Sequence, residues 1–416
     1  MLTILLTIVI LGLMILVHEA GHFLAARWRG VRVVTFSVGF GPRVWGIRRG
    51  DTDYIISAIP FGGYVKMAGD DPDEAGGGLD EFLSRPLRDR FAIILAGPVA
   101  NFVLGFLLFL AAALPGRDYI PGNQVFAVKP DSPAERSGLQ AGDKIIRIRG
   151  KPFHDWEDLP RGKADLVVLR GADTVEIAGA EADGMEPYIP PVLGKTIPQE
   201  PAAKAGLAQG DTVLAVDSLR VVSWNEMVAY IRQNPEKEIG FTLKRGPDTL
   251  AITVLTSKQA TLENGKEEQV GAIGVLAPME KKRVSVLTAL GDAIFQTFYA
   301  AGFIFFILLK LVTGGISPGS IGGPVMIGKV VGQSWGLGFL RLLSTAALIS
   351  VNLAVVNLLP IPALDGGHLT IFSIEGITRR KIPAKWHLRI QIVGFALVLA
   401  VMVAVTVMDV KRIFFP

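Results

Sequence analysis

The chain has 416 residues, of which half are hydrophobic, and a mean hydropathy of +0.43. That is too apolar for an ordinary soluble protein, and a net charge of +4 gives nucleic-acid binding little support. There is no cysteine, which excludes disulfides, thiolate metal sites and cysteine nucleophiles.

The first predicted element is an apolar run over 2–26 that holds no Lys, Arg or Asp and a single acid, Glu19. At 1.5 Å per residue, about 25 helical residues cross a ~30 Å hydrocarbon core. A secretory signal peptide is the competing reading, but its basic leading segment is missing. Within the run stands His18-Glu19-Ala20-Gly21-His22. On a helix, residues i and i+4 share a face, so both imidazoles reach one ion. Neutral imidazole suits Zn²⁺, and a hydrolytic site keeps one position open for water. Glu19 can take that water's proton. Ionisable groups inside a span are costly and normally functional. A pair of histidines hydrogen-bonding between helices is the bland alternative.

The segment 27–90 carries ten Lys or Arg, and nothing basic precedes the first span. The excess of positive charge predicts that 27–90 is cytoplasmic and the N-terminus outside. Residues 31–67 read as strands: "VRVVTFSV", "RVWGI", "TDYIISAI" and "GYVKM" are β-branched and aromatic runs punctuated by glycines. The stretch "AGDDPDEAGGGLDEF" reads as a mobile loop. A second span over 92–114 returns the chain outward.

Residues 115–285 form a mixed-polarity outer region with an internal repeat. Residues 130–159 align without gaps to 198–227 at an offset of 68, matching Pro130 to Pro198, Gly138 to Gly206, Asp143 to Asp211 and Trp156 to Trp224. Each copy predicts a short helix, a Gly-Asp turn, a strand and a helix near the Trp. The pattern resembles PDZ domains of the bacterial protease type, which bind extended peptides or C-termini by strand addition. Spacers or size filters without a ligand are the alternative.

Further on, 293–313 is long enough to span but carries Gln296 and Lys310, and 339–360 is apolar with Asn352 and Asn357. A last span is predicted over 389–408. Two histidines do not complete a catalytic zinc site. The stretch "NLLPIPALDGGHL" offers Asp365 and His368 as a third ligand. Pro360 and Pro362 break the helix there, and irregular backbone at membrane depth lines a cavity or is buried in protein. Parity then matters. If 293–313 crossed fully, Asp365 would lie at the outer end, far from His22. Four spans follow, with 285–313 lying on or dipping into the outer leaflet.

HExxH in the first span, "AGPVAN" opening the second and "NLLPIPALDGG" ending the third resemble the site-2 protease family of intramembrane zinc proteases. Two PDZ-like copies between the second and third spans narrow this to the bacterial RseP type. The resemblance covers essentially the whole chain. It implies a polytopic α-helical membrane protein with four transmembrane helices, a membrane-associated β-sheet and two periplasmic PDZ-like α+β domains. The corresponding segments are 1–28, the first helix; 29–90, a re-entrant sheet and loop; 91–115, the second helix; 116–185 and 186–279, the PDZ-like domains; 280–335, an interfacial segment; 336–368, the third helix; 369–388, a cytoplasmic loop; and 389–410, the fourth. It implies one zinc ion on His18, His22 and Asp365, with Glu19 as catalytic base. It further implies that Asn357 contacts substrate backbone, that Gly39, Phe40 and Gly41 form a hairpin beside an unwound substrate strand, and that Pro360 and Pro362 border the same path. Expected partners are the lipid bilayer, single-pass membrane protein substrates and peptide or C-terminal ligands of the PDZ copies. Nucleic acid is not among them, and the chain is expected to be a monomer in the bacterial inner membrane.

Two other classes compete. A metal or proton transporter could use His18, His22, Asp365 and Asn357 as pathway residues. A silent scaffold could use only its PDZ copies. The placement of Glu19 argues against the first, and an intact HExxH with Asp365 against the second.

Overall fold

The computed structural model describes residues 1–71, 75–159, 162–263, 266–316, 322–380 and 383–414. The chain forms two compact units, Met1–Leu114 together with Ser285–Pro416, and Pro115–Val284.

The first unit opens with α1 (Leu2–Trp28), followed by β1 (Val33–Arg49), β2 (Thr52–Met67) and α2 (Leu87–Ala113). Unbroken apolar sequence makes α1 long, and Gly30, at φ +72, lets the chain leave it. Helices α1 and α2 run antiparallel and close together. His22 meets Ile93, and His18 meets Asn101. Small residues permit this approach: a Cβ on Gly21 would lie 2.9 Å from the Cβ of Ala100.

The strands β1 and β2 fold back on themselves. Residues 45–49 pair with 52–56, while Thr35 to Val38 face Asp53 to Ile56 on one side and Lys66 to Gly63 on the other. Four runs thus lie side by side, corresponding to the four runs read in 31–67. Gly39, Gly41 and Gly62 take positive φ where the runs bend. The outermost run, from Gly62 to Met67, is an edge. Residues 72–74 of the acidic stretch lie outside the described residues; beside them the N–H groups of Gly76 and Gly77 donate to the Glu81 carboxylate.

The second half of this unit comprises α3 (Val286–Val312), α4 (Pro324–Leu337), α5 (Phe339–Asn357), α6 (Asp365–Thr378) and α7 (Ala384–Phe414). Among the described residues, five helices are long and apolar enough to cross a membrane: α1, α2, α3, α5 and the 389–411 part of α7. The ambiguous 293–313 stretch belongs to one uninterrupted helix of 27 residues. Its Ala293 and Ala300 share a core with Phe109 of α2 and with Ala347 and Val351 of α5.

Helix α4 bears on parity. Its 14 residues make about 21 Å, short of a ~30 Å core. Gly328 lies against Thr7 and Gly332 against Thr3, so α4 runs antiparallel to α1 along its Met1 half. The hydroxyls of Ser334 and Thr345 then meet at 2.7 Å, where α5 sets off in the opposite direction. Whatever depth α3 reaches, α4 returns the chain to the Met1 end of α1 before α5 begins. The N–H groups of Gly323 and Met326, at the start of α4, donate to the buried carboxylate of Asp409 at 3.0 and 2.9 Å. That cap explains an acid in the apolar α7. Ser350 of α5 donates to the Asn101 carbonyl at 2.9 Å, so α5 lies against α2 as α1 does.

The second unit repeats one topology. Lys151–Pro152, Lys144–Ile148, Ala164–Arg170 and Asp173–Ala180 form a four-stranded sheet in that order; Leu219–Arg220, Thr212–Val216, Glu238–Arg245 and Asp248–Leu255 form another in the same order. Each closes over its own core, around Val125, Ile145 and Val168 in the first and Phe241, Leu243 and Met227 in the second. The helix expected near the Trp is full in the second copy, Trp224–Arg232, and a single 3-10 turn in the first, Trp156–Asp158. The Gly-Asp turns have a shared cause. Asp143 is held by Arg170 and Asp211 by Arg245, with both arginines also donating to the carbonyl of the preceding glycine, Gly138 or Gly206.

The Arg245 guanidinium beside Asp211 holds that carboxyl below the usual carboxylate range. A depressed folded pKa stabilises above the unfolded value, about 3.9, and the contribution disappears as the pH falls through the folded one. Asp211→Asn is therefore expected to lower the melting transition by a few degrees at neutral pH, and the gap should close below about pH 4. A gap that stays constant under scanning calorimetry across this range would show that the ion pair is not its cause.

Candidate metal centre

The helix α1 presents His18 and His22 on one face, as their spacing requires. The third group arrives from far along the chain. After α5 the helix fails at Pro360 and Pro362, and Ala363 takes φ +75 to turn the chain back. Asp365 then opens α6 as its first residue, where the helix dipole favours a carboxylate. The two glycines that follow make the return possible. A Cβ on Gly366 would overlap the backbone of Leu358 and Leu359, and one on Gly367 would overlap that of Ile361.

Three atoms converge. His18 Nε2 lies 3.0 Å from Asp365 Oδ2, His22 Nε2 lies 3.5 Å from the same oxygen, and the two Nε2 atoms are 3.2 Å apart. A tetrahedral ion with ~2.0–2.1 Å bonds separates its ligand atoms by about 3.3–3.4 Å. The triangle therefore has the size that zinc needs. Asp365 Oδ2 is buried and accepts no hydrogen bond, which leaves its lone pairs for an ion. Among the described residues, these three are the group of histidines and acids so placed.

The surroundings hold the rings. His22 Nδ1 donates to the Ile93 carbonyl at 2.9 Å. Pro98 sits inside α2, where it leaves a carbonyl of the preceding turn without its helical donor. Gly97 lies flat against the His22 ring; a Cβ there would overlap the imidazole. Asn101 Nδ2 stands 3.3 Å from His18 Nδ1.

The triangle faces a cavity of about 420 Å³. Glu19, Ile15, Phe40, Tyr64, Asn357 and His368 line it with the three converging residues. The edge run from Gly62 to Val65 forms one wall. Gly63 brings that wall onto α1: its Cβ would lie 3.1 Å from Glu19 Cγ. Phe40 stacks on Tyr64 with ring centroids 6.3 Å apart. Gly39 and Gly41 flank Phe40 in β1 without lining the cavity. Pro360 and Pro362 also stand outside the lining, and Pro362 packs on α7 at Gly394. His368, the alternative third ligand, lies one turn after Asp365 with its Nε2 at 3.0 Å from Gln391 Nε2. Sequence reasoning missed Asn101, the Ile93 carbonyl and the Gly62 to Val65 edge. The "AGPVAN" motif carried the signal for Asn101; Ile93 precedes the motif and joins it only through the helical face that positions 93, 97 and 101 share.

Residues 6–401 match the model of Peptidase family M50. The chain belongs to that family. Its relatives in M50 include the regulator of sigma-E protease RseP of Escherichia coli, 34% identical over 89% of this chain and 90% of that one. The zinc metalloprotease RasP of Geobacillus kaustophilus is 30% identical over 98% of this chain and 97% of its own. A solved PDZ domain of an SdrC-like protein from Listeria monocytogenes covers 22% of this chain and 92% of its own at 17% identity, with a TM-score of 0.18. This M50 chain is a zinc metalloprotease of the site-2, RseP type and a multi-pass membrane protein.

Proposed function

We propose that this M50 protein is an intramembrane endopeptidase that cuts the spanning segments of single-pass membrane proteins. The observation that carries this reading is a zinc-sized triangle of ligand atoms between apolar helices, opening on a cavity walled by a strand edge. His18, His22 and Asp365 hold one zinc ion. When bound, zinc supplies a Lewis acid that polarises the scissile carbonyl. Glu19 takes a proton from the attacking water and returns it to the departing amine. Asn357 offers its amide to the substrate backbone.

A peptide bond within a helix is shielded by its own hydrogen bonds and packing. Cleavage in lipid therefore requires local unwinding, and the lost backbone bonds need replacement. The edge from Gly62 to Val65, with Phe40 stacked on it and Gly39 and Gly41 at the neighbouring bend, can supply them by strand addition. Pro360 and Pro362 act indirectly, by shaping the turn that delivers Asp365. Anti-sigma-factor-like proteins and remnant signal peptides are the substrate classes expected of this chain. The repeated unit screens them as paired PDZ domains.

The chain lies in the inner membrane with its N-terminus and the repeated unit outside. It makes four full crossings, with α3 and α4 together entering and leaving on one side. The absence of native cysteine makes this testable. In cells, a membrane-impermeant maleimide should label Lys129→Cys directly and Arg88→Cys only after permeabilisation; the reverse pattern sinks the orientation. The activity is tested by incubating purified protein with a model single-span substrate and mapping the products by mass spectrometry. A cut within the span is expected, and cuts confined to soluble flanks would overturn the reading.

A further inference from the structure

Both histidines direct Nε2 at Asp365 and Nδ1 at α2. For His22 the partner of Nδ1 is a carbonyl, which only accepts. Its Nδ1 therefore carries the ring proton, and Nε2 keeps a lone pair for an ion. For His18 the partner is the side-chain amide of Asn101, 3.3 Å away. An amide has a donating end and an accepting end of nearly equal shape. With nitrogen inward, His18 Nδ1 is an acceptor, the ring proton moves to Nε2, and the ligand lone pair is lost. With oxygen inward, Nδ1 donates and Nε2 can ligate.

We propose that Asn101 is a positioning residue of the metal centre: its side-chain oxygen accepts the His18 Nδ1 proton and holds His18 in the ligating tautomer. This rests on reading His18 as a zinc ligand. Asn101 is 0% exposed and is the one polar side chain of the 91–113 part of α2, where such a group is costly unless it is used. Its Oδ1 accepts no hydrogen bond from any described residue and so is free for the role. Its place is in register with the rest of the interface. Ile93, Gly97 and Asn101 follow one another at four-residue steps, and each touches a histidine of α1. Ser350 binds the Asn101 main-chain carbonyl at 2.9 Å, which anchors the residue from α5 without occupying its side chain. Groups that fix the outer nitrogen of a ligating histidine also raise its basicity.

The test is the zinc affinity of the purified full chain, measured by competition with a chelator, with the melting temperature of the zinc-free protein as control. Asn101→Leu, similar in shape but without an acceptor, should bind zinc about 10–100-fold more weakly and melt like wild type when zinc-free. Asn101→Ala serves as a second acceptor-free variant should the leucine melt low. Asn101→Asp keeps the acceptor and should retain wild-type affinity or exceed it. A merely structural role predicts the opposite order, with the apolar isostere tolerated and the buried carboxylate harmful. Cobalt in place of zinc adds a reading of the ligand field: the visible spectrum should shift in the leucine and alanine variants. Wild-type affinity and an unshifted cobalt spectrum in the acceptor-free variants overturn the proposal, as does an equal loss in Asn101→Asp when that variant folds. A wild-type chain that takes up no zinc would instead refute the reading of the site itself.

Discussion

Replacing Glu19 by glutamine is expected to slow cleavage of a single-span substrate by about 10²–10⁴-fold, the range that loss of a general base produces. Zinc content should stay at one ion per chain. Glutamine has the size and shape of glutamate, so the cavity wall beside Gly63 is undisturbed. What it loses is the ability to take a proton. Glu19 lines the cavity next to the triangle but is not one of its corners, so the ion keeps its three ligands. Equal product from wild type and Glu19→Gln would remove the enzymatic assignment and return the transporter reading. Loss of both zinc and activity would make Glu19 a ligand rather than a base.

Asp365→Asn should act earlier, on the metal. The amide keeps the shape of the carboxylate but carries no charge, and neutral amides are poor zinc ligands beside two imidazoles. Even outer partners of ligands are worth about 10–100-fold in affinity, so loss of a ligand should exceed that. Zinc measured by atomic absorption after chelator challenge should fall well below one per chain, and activity with it. Unchanged stoichiometry would mean that Asp365 is not the third ligand. His368, which lines the same cavity, would then take its place. The two substitutions separate the roles: one leaves the ion and stops the proton transfer, while the other loses the ion.

Much of this was legible before any fold was known. The HExxH spacing offers two candidate ligands and a candidate base because helical periodicity is a local property. The prolines and glycines around Asp365 announce broken backbone for the same reason. The repeat is visible because duplication preserves spacing, and the strand runs of 31–67 because β-branched residues cluster between glycines. Arg170 and Arg245 were not legible. Their offset is 75 rather than 68, so a gapless comparison passes over them.

The sequence by itself determined the groups available for chemistry, the apolar segments and the duplicated unit. Each depends on contacts within a few residues or on copied spacing. Only the tertiary structure decided that His18, His22 and Asp365 converge at zinc distances, that the Gly62 to Val65 edge walls the cavity, and that Asn101 faces His18. It also decided how α4 brings the chain back to the Met1 end of α1. These depend on which helix faces meet, and small residues such as Gly21, Gly97, Gly105 and Gly332 set those faces by allowing close approach. A glycine in a sequence shows that space is needed but not what fills it. For "HEAGH" and "AGPVAN", each fills the space the other leaves.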